Sequence, residues 1–93
     1  MPRPELAEWM TPMDRDILEL LWNDGRRELI LNPGTIEANT DWKRQSIRQH
    51  ILKLREHGLV EYYDEDRALY QLSERGRAWL EGDVPTGALE GDD

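Results

Sequence analysis

A glycine at position 58 ends one periodicity and begins another, with no linker between them. Upstream, Ile47, Ile51 and Leu54 recur at spacings of four and three, which places them on one face of a helix over residues 42–57. Downstream, Leu59-Val60-Glu61-Tyr62-Tyr63 has strand composition, and so does Ala68-Leu69-Tyr70-Gln71-Leu72. Only Asp64-Glu65-Asp66-Arg67 separates the two runs, a polar tip for a hairpin. Gly58 suits the left-handed position that follows a helix. A helix must therefore fold straight onto a two-stranded antiparallel sheet, and 93 residues leave room for one small core.

The rest of the chain is punctuated as clearly. Thr11-Pro12 and Asn32-Pro33 each join an N-cap side chain to a proline at the first helical position, and Asp14 stands in the first turn. The first helix carries Met13, Ile17, Leu18, Leu20, Leu21 and Trp22 and ends at Asn23-Asp24-Gly25. Leu29-Ile30-Leu31 reads as a brief strand, and a short helix with Ile36 and Ala38 ends near Asn39-Thr40. Asp41 is the expected cap of the long helix, and Ser73 that of a last helix with Ala78, Trp79 and Leu80. The order is that of an α+β winged helix-turn-helix over residues 11–81. It has a three-helix core, a two-stranded β-wing, a short third strand and a short C-terminal helix. Residues 1–10 form an N-terminal arm able to dock through Leu6 and Trp9. Residues 82–93, GDVPTGALEGDD, lack any period and are expected to be an acidic disordered tail.

Charge separates the long helix from everything else. The chain has 20 acids against 12 bases, a net charge of −8. Such an acidic, lysine-poor and cysteine-free composition resembles that of proteins from salt-loving archaea. Yet residues 41–57 hold Lys43, Arg44, Arg48, Lys53 and Arg55 against only Asp41 and Glu56. The outward surface begins with long donors and amides: Lys43, Arg44, Gln45, Ser46, Arg48 and Gln49. Arginine can read guanine, and glutamine adenine, through paired hydrogen bonds in the major groove. Double-stranded DNA is thus the expected partner of these six residues. Arg67 is the one base at the hairpin tip, beside three acids, and is divided between DNA contact and pairing with its neighbours. Arg26 and Arg27 are further phosphate candidates that suit plain solvated surface better. The competing reading is an acidic protein-interaction module that does not bind DNA.

Other chemistries find little footing. No apolar run approaches the ~18 residues of a membrane span, no apolar signal segment opens the chain, and a cytoplasmic location is expected. His50 and His57 lack a third ligand at metal spacing, and no nucleophile, glycine-rich phosphate loop or carboxylate pair suggests an enzyme or a cofactor. His57, at a helix C-terminus, would favour the helix dipole if protonated. Trp22 and Trp79 read as core and Trp42 as a packing residue at the helix start. Trp9 could dock on its own domain or on a second subunit, and with Trp79 it makes a homodimer plausible.

Over residues 11–83 the chain resembles archaeal winged helix-turn-helix transcriptional regulators, in the group similar to the haloarchaeal phage phi-H repressor-like proteins. The carriers are Asn32-Pro33 with Ile36, then Arg44-Gln45-Ser46, and Leu54 with His57-Gly58-Leu59-Val60. The close Tyr70-Gln71-Leu72-Ser73, Gly76 and Leu80-Glu81-Gly82 completes them. The resemblance implies sequence-specific DNA binding and transcription control, as a repressor and a dimer. The acidic YDEDRA of the wing departs from a DNA-gripping tip.

Overall fold

A computed structural model describes residues 5–90. The first helix, α1 (Pro12–Trp22), starts at Thr11. The Asp14 carboxylate folds back to accept from Thr11 N at 2.8 Å and from its hydroxyl at 3.0 Å. This ties down the first turn, where helix N–H groups have no intrahelical partner. Ile17, Leu18 and Leu21 face inward and are fully buried. Asn23, Asp24 and Gly25 then all take positive φ, which stops the helix abruptly. The chain returns along α1 with Leu29 N–H donating to Leu21 O at 2.8 Å.

The expected strand at residues 29–31 is reduced to a single antiparallel bridge. Leu31 and Tyr70 exchange both backbone hydrogen bonds, at 3.0 and 2.8 Å. Asn32-Pro33 then leaves the sheet at once, because Asn32 caps α2 (Pro33–Ala38) by accepting from Thr35 N at 2.8 Å. The proline and the cap leave no length for a ladder.

The long helix, α3 (Arg44–Glu56), starts later than expected. Asp41 lies in an exposed bend, and the N-cap position belongs to Lys43, whose side chain makes no cap bond. The bend is held by Thr40, whose hydroxyl donates to Ile36 O at 2.9 Å, and by Trp42, whose indole N–H donates to Asp16 at 2.8 Å. Trp42 therefore packs on α1 before the helix begins. The Arg44 N–H that a local cap would have served goes instead to Glu37 Oε2 of α2, at 2.8 Å.

Gly58, with φ +77°, turns the chain from α3 into the wing. The strands β1 (Val60–Asp64) and β2 (Leu69–Leu72) pair antiparallel, with Tyr62 opposite Tyr70 and an irregularity between Tyr62 and Asp64. Ser73 caps α4 (Glu74–Leu80), accepting from Gly76 N at 3.0 Å, and its hydroxyl donates to Gly58 O. Ile17, Leu21, Ile36, Ile47, Leu54 and Trp79 meet in one core.

Residues 82–90 depart from the expected disorder. They end in a helical turn, α5 (Gly87–Glu90), and Leu89 is only 2% exposed. Trp9 donates its indole N–H to Leu89 O at 3.0 Å, and Arg75 reaches Ala88 O at 2.9 Å. Thr86 accepts from the Trp79 indole at 3.1 Å and donates to Glu5 O at 2.7 Å. One buried leucine and a chain of hydrogen bonds to distant residues order a segment with no helical period of its own. Residues 91–93 of that expectation, and 1–4 of the arm, lie outside the described residues.

Candidate nucleic-acid interface

Ile47, Ile51 and Leu54 bury the inner face of α3 and so fix which side chains face out. Lys43, Arg44, Gln45, Arg48 and Gln49 are exposed together over its first two turns, and Ser46 is half-buried at their edge. His50 locks the helix to α1, its Nδ1 lying 2.9 Å from Oδ1 of the fully buried Asp14. It is a structural link between two helices, which accounts for a histidine on the flank of the apolar stripe. Among the described residues, no group of three His, Cys, Asp or Glu is placed to hold a metal ion.

Two features of this face were not foreseen. Arg44 does not stand free: its Nη2 pairs with Glu37 Oε1 at 3.2 Å, while Oε2 of the same carboxylate holds its backbone N–H. That N–H, followed by the Arg44 charge, holds the Glu37 carboxyl below its ordinary pKa. Spacing along α3 could not disclose this, because the acid comes from the preceding helix. Arg48, by contrast, has no ion-pair partner among the described residues.

The second feature is the junction with the wing. The Arg55 guanidinium lies 4.5 Å from the centre of the Tyr62 ring, a cation–π contact. Tyr62 in turn stacks on Tyr70 at 4.9 Å between centroids. Burial, with the Tyr62 hydroxyl beside it, pushes the Tyr70 phenol up to about 12. The cross-strand alternation of the wing could have indicated that Tyr62 and Tyr70 share a face, but not that Arg55 covers it. Leu52 also stands on the outer side of α3, 49% exposed.

Arg67 sits apart from the α3 group, at the tip of the wing. Its Nε lies 3.1 Å from Asp64 Oδ2 and its N–H donates to Asp64 Oδ1 at 3.3 Å. The pairing, led by the side-chain hydrogen bond, lowers the Asp64 pKa.

Trp9 and Trp79, on which a dimer was expected to draw, are used within the chain. Trp79 is fully buried, and Trp9 stacks on His57 at 3.8 Å with the rings 9° from parallel. Burial pushes the His57 pKa down, which works against the protonated form on which a favourable interaction with the helix dipole depends.

The model of the winged helix-turn-helix phage repressor family matches residues 3–92, so it takes in most of the arm and tail as well as the helices and wing. A repressor protein of Halobacterium phage phiH is 34% identical over 85 residues, which are 90% of this chain and 93% of that protein. No solved structure matches the chain.

Proposed function

The chain belongs to the winged helix-turn-helix phage repressor family, and from that premise we propose that it is a sequence-specific repressor that binds double-stranded DNA through α3 in the major groove. One observation carries the reading: Lys43, Gln45, Arg48 and Gln49 stand exposed together on the outer face of the first two turns of α3, and the helix has no acid before Glu56. These side chains have the donors and the reach to address base edges, and a bidentate pair discriminates between bases by about 1–3 kcal/mol. Apart from Glu37 on Arg44, acids gather in the groove between α1 and the α2–α3 bend lined by Asp16, Glu19, Asp24 and Asp41.

Attraction to phosphate is a weak source of affinity for this surface if it works in molar salt. The slope of log K against log salt is about −0.9 per phosphate contact, so six contacts lose on the order of 10⁵ per tenfold rise in salt. Base-edge hydrogen bonds and apolar contact, including Leu52 against a thymine methyl, supply the remainder. A homodimer on a two-fold operator is the simplest architecture for such a repressor.

A second reading, a protein-interaction module, draws on the pairing of Arg44 with Glu37 and of Arg67 with Asp64. Selection from a random duplex library in molar potassium chloride separates the two. The DNA reading predicts enrichment of a defined site; an interaction module enriches none.

A further inference from the structure

Arg44 is fixed at three places, two of them on Glu37. Glu37 Oε2 accepts the Arg44 N–H at 2.8 Å, and its Oε1 lies 3.2 Å from Nη2. The third place is Gly34, one turn earlier on α2. A Cβ there would come within 3.2 Å of Nη2 and 3.3 Å of Cζ, so the guanidinium lies directly over the glycine. The carboxylate thus caps the recognition helix from outside it and aims the side chain nearest its start.

We propose that Glu37 is a specificity-determining residue that makes Arg44 a base reader and a poor phosphate ligand. The inference rests on the DNA-binding reading of α3. A guanidinium has five N–H donors, and the ion pair uses one hydrogen of Nη2, so the second Nη2 hydrogen and a neighbouring N–H still form a two-donor edge for guanine O6 and N7. The charge beside those donors is cancelled, so a phosphate gains little by approaching and meets a carboxylate when it does. A base edge carries no net charge and is repelled far less. Holding the side chain in one place also removes rotamer freedom that binding would otherwise have to freeze out.

The test measures affinity for a selected site and for a scrambled duplex across a potassium chloride series, with wild type, Glu37→Gln, Arg44→Ala and the double variant. Glutamine keeps an oxygen for the Arg44 N–H and removes the charge. Glu37→Gln is expected to tighten binding to the scrambled duplex and to steepen its salt slope by about 0.9, one more phosphate contact. The preference for the selected site should fall on the order of tenfold, the lower part of the range for one bidentate pair. In the Arg44→Ala background the same change should do nothing, because the effect runs through Arg44. A purely structural cap would lower the unfolding midpoint and leave slope and preference unmoved. Unchanged slope and preference in Glu37→Gln, or an equal change without Arg44, overturns the inference. A wild type with no site preference removes the DNA-binding reading as well. A wild type that discriminates beside an inert Glu37→Gln removes this inference alone.

Discussion

Gly76 of α4 lies so close to the carbonyl of Leu59 that a Cβ at position 76 would stand 2.1 Å from that oxygen. The contact closes a small clasp. Ser73 N–H donates to Leu59 O at 3.1 Å, its hydroxyl donates to Gly58 O, and it accepts from Gly76 N. The residues between α3 and the wing are thereby fastened to the start of α4, which constrains how the wing leaves α3. Alanine normally improves a helix interior over glycine by about 1 kcal/mol; here the overlap with backbone decides the sign. Gly76→Ala is expected to cost about 3 kcal/mol, a fall in Tm of roughly 12–24 °C, measured by thermal unfolding.

Leu89 tests whether residues 82–90 belong to the domain. Its burial beside Trp9, together with the Thr86 and Arg75 hydrogen bonds, predicts that Leu89→Ala destabilises the fold by about 2 kcal/mol, at the low end for a buried leucine. Chemical denaturation followed by tryptophan emission reads it. A variant as stable as wild type would mean that the segment is not docked.

The Trp9–His57 stack makes part of the stability depend on pH. Burial, reinforced by the positive Lys53 and Arg75, lowers the folded-state pKa below the ordinary value of about 6.5, while Glu56 and Asp14 work against it. The unfolded chain then binds the proton more readily, so stability rises with pH through this window. The contribution is fully present above about pH 6.5 and is lost as pH falls through the folded pKa. Unfolding free energies of wild type and His57→Gln, measured between about pH 5 and 8, should differ by an amount that shrinks toward acid. A difference independent of pH would contradict it.

Arg48 and Arg67 should separate cleanly in binding. Arg48 faces outward from α3 without a partner ion among the described residues, whereas Arg67 is tied to Asp64 at the wing tip. Arg48→Ala is expected to weaken binding to a selected site by about 1–3 kcal/mol. Arg67→Ala should change it by less than about 0.5 kcal/mol, as ordinary surface substitutions do. Fluorescence anisotropy with a labelled duplex measures both.

Much of the architecture was legible because its signals are local. Thr11-Pro12, Asn32-Pro33 and Ser73 mark three helix starts, and Gly58 with the two flanking periodicities marks where α3 gives way to the wing. The misreadings share one cause, which is a partner far away in sequence or in another element. Asp41 had the chemistry of a cap, but Trp42 is pulled onto Asp16 and Glu37 takes over the helix start. The 82–90 segment looked structureless because what orders it is Trp9, Glu5 and Arg75. At the candidate site the exposed row on α3 followed from the wheel alone. The pairing of Arg44 and the covering of Tyr62 by Arg55 required the tertiary fold.

Amide chemical-shift changes on adding a selected duplex to the labelled protein in molar potassium chloride report directly which element meets DNA. The largest changes should fall on residues 43–49 at the start of α3, with smaller ones at Arg55 and Tyr62. Changes confined to the wing tip or to the arm and tail, with the α3 amides unmoved, would contradict recognition through that helix.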